Sequence, residues 1–147
     1  MRAKQLQKNP HQTYALVFDK DDQFMSELEA FAKEQQLIGS HFSAVGAFRQ
    51  ATLGYFDRSQ MDYKHIPVSE QVEVLSLMGN IADDGGEPRI HAHVVLGKAS
   101  GEAVGGHLLE AIVWPTLELI IEESPNHLYR KSDAETGLAL LDLKANS

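Results

Sequence analysis

Residues 89–97 read Arg-Ile-His-Ala-His-Val-Val-Leu-Gly, an alternation of apolar and polar side chains that is typical of a β-strand with one face in a core. Side chains two residues apart lie on the same face of a strand. The apolar face predicted in this way consists of Ile90, Ala92, Val94 and Leu96. His91 and His93 then lie together on the opposite face, where their chemistry is available to a ligand.

Two imidazoles on one strand face can share a metal ion, because their Cα atoms lie about 7 Å apart and both rings can turn towards one point. A third donor is predicted at His107, which follows two glycines. The segment between His93 and His107 contains four glycines and suits a chain reversal that returns His107 to the pair. Three neutral imidazoles with an open fourth position are typical of a catalytic or ligand-binding zinc site.

The spacing alone leaves other interpretations of these residues open. A His-x-His pair also occurs on polar strand faces, and a histidine after two glycines also occurs in turns. Glu110 is a candidate to orient a ligand or to act as a general base, although it could equally be a solvated glutamate. The other histidines have no partner in sequence and are expected at the surface: His11, His41, His65 and His127.

The segment before the histidines predicts one strand followed by one helix. Residues 13–18 are β-branched and aromatic, which favours a strand. Apolar residues then recur at helical spacing between residues 24 and 32. Asp21 or Asp22 is expected to cap the start of this helix, and Gly39 is expected to end it in a left-handed conformation.

Most of the remaining chain predicts strands, and the resulting fold class is α+β with a largely antiparallel sheet. Further strands are expected at residues 41–47, 50–56, 71–81, 114–122 and 138–143, with a turn at 83–86. The strand at 71–81 is apolar on both faces, so it should be covered on both sides, in a core or a subunit interface. Residues 59–70 are expected to be an irregular connection.

The length and composition predict a single cytoplasmic domain over residues 1–147. The chain holds 21 acidic and 13 basic residues, a formal net charge of −8, which disfavours direct binding of DNA or an anionic membrane. It holds no cysteine, which excludes disulfides, thiolate metal sites and cysteine nucleophiles. No targeting segment is evident, and no apolar run approaches the ~18 residues that span a bilayer.

The order of several segments closely resembles the PPC domain, the plants and prokaryotes conserved domain. The matching blocks are residues 89–97, 105–111 and 115–121, with weaker similarity at 45–47, 74–80 and 136–138. The resemblance covers roughly residues 13–143, which it implies are the core of the domain. It also implies one main helix packed on a strongly curved, mostly antiparallel sheet, and a homotrimer. It also implies a metal site at His91, His93 and His107, with zinc as the expected ion.

Three functions follow as hypotheses. The first is a trimeric metal-binding module that handles a small molecule, with lyase- or hydrolase-like chemistry as one form, since the fold also resembles that of acetolactate decarboxylase. The second is a DNA-associated regulatory protein, because prokaryotic relatives are often labelled DNA-binding. This chain has no AT-hook, and residues 70–75 read Glu-Gln-Val-Glu-Val-Leu where the plant pattern is Gly-Arg-Phe-Glu-Ile-Leu. The third is a scaffold trimer with a merely polar histidine face.

Overall fold

The protein folds as one helix and a large antiparallel sheet in a computed structural model that describes residues 1–7 and 11–144. The elements within those residues are β1 (Arg2–Gln7), β2 (Gln12–Phe18), α1 (Phe24–Gln35), β3 (Gly39–Asp57), β4 (Asp62–Val68), β5 (Val72–Asp84), β6 (Glu87–Gly97), β7 (Ala103–Glu123), β8 (Arg130–Ser132) and β9 (Ala139–Leu141). No helix in this part of the chain is long and apolar enough to cross a membrane.

Strong curvature of the sheet comes from its two longest strands. The main sheet has the order β1-β2-β7-β6-β5-β3-β4, and β7 also pairs with β3. The extra pairing closes β3, β5, β6 and β7 into a ring of antiparallel strands. The predicted α+β class, with one helix and a curved antiparallel sheet, is therefore confirmed.

The helix begins and ends at residues other than those predicted. Its N-cap is Gln23, without a side-chain cap, because the Asp22 carboxylate instead accepts the Asp19 backbone N–H and contacts the N-terminal ammonium group. Its C-cap is Gln36, which adopts the left-handed conformation predicted for Gly39. Gly39 starts β3, where a Cβ atom would lie 2.6 Å from the carbonyl oxygen of Asn126.

Two predicted connections differ from the structure because local sequence patterns do not show which strands pair. The strands expected at 41–47 and 50–56 are one continuous strand, β3, which passes through an irregularity at Gly46. The connection expected at 59–70 contains β4, which pairs with β3 as a hairpin. Pro67 is tolerated there because β4 lies at the edge of the sheet, where a missing N–H breaks no central ladder. The edge strand β1 was not predicted.

The positions of the other predicted strands were confirmed. The turn at 83–86 joins β5 to β6 with Gly85 and Gly86 at positive φ. The expected strand at 114–122 forms the second half of β7, and the stretch at 138–143 contains the short β9, paired with β8. Helix α1 covers one side of the sheet and buries Phe24 and Leu28 completely. These contacts enclose a single core between the helix and the ring of strands.

Strand β5 is apolar on both faces, as predicted, but only one face lies in the core of the chain. Val72, Val74 and Leu77 are buried. Leu75 and Met78 lie on the other face and are 58% and 61% exposed. The second face therefore has no cover from the described residues of its own chain.

Candidate metal centre

The three histidines predicted to converge lie together on two neighbouring strands. His91 and His93 lie on β6, and His93 is paired directly with His107 on β7. The Nε2 atoms of His91 and His93 are 3.2 Å apart, and one ring nitrogen from each of the three residues lies within 4.8 Å of the others. Such spacing lets three imidazole nitrogens point at one ion.

A tight reversal between β6 and β7 brings His107 back to the pair. The Lys98 backbone N–H donates to the Glu102 carbonyl, and Gly101 adopts a φ of +85°. Gly106 allows the close approach of β3, since a Cβ atom there would lie 2.9 Å from the Gly54 carbonyl oxygen. His107 is thus a strand residue, and the interpretation as a turn histidine was wrong.

The electrostatics of the cluster keep the imidazoles of His91 and His107 neutral. Burial lowers the pKa of His107 to about 4, and the nearby His91 and His93 act in the same direction. Burial also lowers the pKa of His91, followed by the effects of His93 and Arg130. At neutral pH both rings therefore carry free lone pairs, which is the state that binds metal.

The donor set and one unsatisfied atom fit a metal such as zinc. Three imidazoles with no thiolate and no carboxylate in the cluster match a borderline-soft divalent ion. Nδ1 of His107 is buried and has no hydrogen-bond partner among the described residues. A buried nitrogen without a partner costs free energy, so hydrogen bonding within the protein does not explain the position of the His107 side chain.

Tyr63 is a further residue of the site that the sequence did not predict. Its ring stacks on His107 with the ring centroids 4.8 Å apart and an interplanar angle of 29°. The ring passes over Gly54, where a Cβ atom would lie 2.8 Å from Tyr63 Cδ1. Strand β4 therefore forms one wall of the site. The sequence signal for this contact was Gly54, because a glycine inside a strand often marks the close approach of another group.

Replacing Tyr63 with leucine is expected to weaken zinc binding by roughly tenfold, the lower end of the effect of residues that orient metal ligands. The physical reason is that His107 loses the ring that fixes its plane. Competition with a chromophoric chelator measures the change. Tyr55→Leu is the matched control, because Tyr55 is exposed on β3. Equal affinities in the two variants would show that Tyr63 does not orient the ligand.

Glu110 is not part of the histidine cluster. It is exposed on β7 and lines a groove of about 400 Å³ beside the start of helix α1, together with Gln23 and Ala111. None of the three histidines lines that groove. The general-base role of Glu110 stays a prediction. The four background histidines are exposed, as expected: His11, His41, His65 and His127.

One helix on a closed antiparallel sheet, with three histidines on the sheet face away from the core, defines a class of small α+β proteins with a candidate metal centre. The chain belongs to the Plants and Prokaryotes Conserved (PCC) domain family, whose sequence profile matches residues 5–125. The family predicted from the sequence blocks is therefore confirmed.

Known proteins similar to this chain carry different descriptions. A metal-containing protein from Archaeoglobus fulgidus is 35% identical with a TM-score of 0.81, covering 88% of this chain and 91% of that one. A protein from Ralstonia eutropha JMP134, provisionally described as DNA-binding, is 28% identical with a TM-score of 0.84, covering 93% and 94%. The bifunctional protein GlmU of Synechococcus sp. (strain JA-3-3Ab) is 36% identical over 121 residues, which are 80% of this chain and 18% of GlmU. The chain thus spans about a fifth of the length of its curated relatives.

Proposed function

We propose that this protein is a metal-binding module in which His91, His93 and His107 hold a zinc ion and leave one coordination position open to a small molecule. The observation that carries the proposal is the convergence of one nitrogen from each histidine within 4.8 Å. The description of the similar Archaeoglobus fulgidus protein as metal-containing supports it.

The side chains of the site are already arranged for metal binding in the absence of an ion. Neutral imidazoles need no proton loss to bind, and the stacked Tyr63 covers one face of His107. His93 is exposed in the isolated chain, so one side of the site has no cover from the described residues of its own chain. A bound zinc ion would supply a Lewis acid there, which is the basis of the alternative function, a metal-dependent lyase or hydrolase.

Metal analysis of the purified chain tests this proposal. After dialysis against zinc and removal of excess metal, we expect near-stoichiometric zinc per chain by elemental analysis, and its removal by a chelator. Negligible zinc after loading would contradict the proposed function. The same measurement with other divalent ions would identify the preferred metal.

A homotrimer in the cytoplasm is the second part of the proposal. Its support is the family and an uncovered apolar patch on the face of the sheet away from the core, which surrounds a groove of about 420 Å³. The exposed members of this outer patch are Val45, Leu75, Met78, Val95 and Ile120. Monomeric soluble proteins rarely leave a contiguous patch of this kind in water. The absence of cysteine fits a reducing compartment.

Direct DNA binding is the function suggested by the description of the Ralstonia eutropha protein, and the charges oppose it here. The net charge is −8, and several basic side chains are already paired with carboxylates, among them Arg49 with Asp21 and Lys98 with Glu70. We therefore propose that any association with DNA runs through another protein.

A salt titration with duplex DNA tests this charge argument. We expect no binding even at ~50 mM salt, where phosphate contacts are strong. The measurement is fluorescence anisotropy of a labelled duplex, with a known basic DNA-binding domain as the positive control. Tight binding that weakens steeply with added salt would contradict the expectation and favour the DNA-binding function.

A further inference from the structure

Two arginines lie beside the histidine cluster on the same side of the sheet. Arg89, His91 and His93 alternate along β6, so their side chains leave the same face of the strand. On the neighbouring β5, Asn80 is paired directly with His91, and paired residues share a face. Arg130, on β8, donates a hydrogen bond from Nη2 to Oδ1 of Asn80. Its guanidinium group is thereby held next to the row of histidines.

Arg130 is fixed by neutral groups, and the described part of the chain gives it no anionic partner. Its Nη1 donates to the Ala139 carbonyl oxygen at 2.9 Å, and the Asn80 side chain takes Nη2. None of the ion pairs among the described residues includes Arg130. Its Nε is buried and has no hydrogen-bond partner within residues 1–7 and 11–144. A half-buried guanidinium group without an anionic partner costs free energy, and an anionic ligand that binds to it would offset that cost.

Arg89 adds a second positive charge with little compensation. Its one ion pair is with Asp84, at 4.0 Å, the limit for such a contact, and its side chain is exposed. Asp84 is the carboxylate that also acts on Arg130. Among the described residues, Arg89 and Arg130 thus share one nearby carboxylate, that of Asp84, beside the three histidines. This local excess of positive charge stands out in a chain of net charge −8.

We propose that the site takes a small organic anion, with one oxygen at the open metal position and a second oxygen on the guanidinium groups of Arg130 and Arg89. The inference rests on the metal site proposed above and names the class of its ligand. A planar guanidinium group matches the two oxygens of a carboxylate and also binds phosphate. The shared chemistry is an oxyanion on a small molecule.

Anion titrations of the metal-loaded protein test this assignment. The protein is loaded with Co²⁺, whose visible spectrum reports its coordination, and is titrated with malonate and, separately, with inorganic phosphate. We expect a saturable spectral change and a matching calorimetric isotherm. Arg130→Gln and Arg89→Gln should each weaken anion binding by roughly tenfold or more, with the metal content unchanged. Arg49→Gln is the control, because Arg49 is paired with Asp21 at the surface.

The outcomes separate this inference from the metal site itself. A response to malonate supports a carboxylate ligand, and a response to phosphate alone supports a phosphate ester. Full metal content with no response to either anion would overturn the inference and leave the metal site standing. Unchanged anion affinity in both arginine variants would overturn the assignment of the arginines. Wild-type protein that binds no metal would overturn the metal site and this inference with it. Arg89→Gln keeps the test decisive if Arg130→Gln fails to fold, since Arg89 is exposed.

Discussion

Replacing His93 with alanine is expected to abolish near-stoichiometric zinc binding and to leave the fold intact. Mutation of a residue that only orients a metal ligand weakens metal binding by up to ~100-fold. Removing one of the three proposed ligands should therefore weaken zinc binding by at least that factor. His93 is the best choice of the three because it is exposed, so its loss leaves no cavity in the core. The half-buried His107 packs against Tyr63, and its replacement would disturb more than metal binding.

Elemental analysis and a chelator competition measure the effect, and His41→Ala is the matched control. His41 is also an exposed histidine on a strand, and it lies outside the cluster, within 3.8 Å of Glu122. The circular dichroism spectrum and the thermal unfolding of both variants should match the wild type. Equal zinc content in the His93 and His41 variants would contradict the assignment of the ligands.

The histidine cluster was predictable because its geometry depends on short-range strand rules. Alternation along β6 fixes the face of His91 and His93, and the glycines after His93 allow the return that pairs it with His107. The structure confirms that the three can meet. The same local reasoning predicted the helix, the turn at 83–86 and the α+β class.

The parts of the site that were missed depend on contacts between distant segments. Tyr63 reaches His107 only because β4 folds back along β3, and Pro67 made that stretch look irregular in sequence. Arg130 reaches the site only through Asn80, 50 residues earlier in the chain. Neither contact leaves a spacing pattern. The ends of the helix were missed for a related reason, since Gly39 is needed for a close approach to Asn126 rather than for a turn.

The outer patch predicts the second large effect, on assembly. Val45→Asp is expected to convert the proposed homotrimer into monomers at micromolar concentrations. Val45 is 60% exposed in the isolated chain, so an aspartate there loses little burial, and its like charge opposite the exposed Glu118 adds only a small cost to the fold. In a trimer the same change puts a carboxylate into every interface, where burying a charge costs several kcal/mol per ion. The loss of one buried valine adds about 1.5–3 kcal/mol.

Sedimentation velocity separates this expectation from a general loss of stability, with Leu140→Asp as the matched control. Leu140 is 47% exposed on β9, away from the outer patch, so the control should remain trimeric. A monomeric wild type, or trimers in both variants, would contradict the assignment of the interface. All three proposed metal ligands come from one chain, so the Val45 variant should still bind zinc. Loss of zinc together with loss of the trimer would show instead that the metal centre depends on a neighbouring subunit.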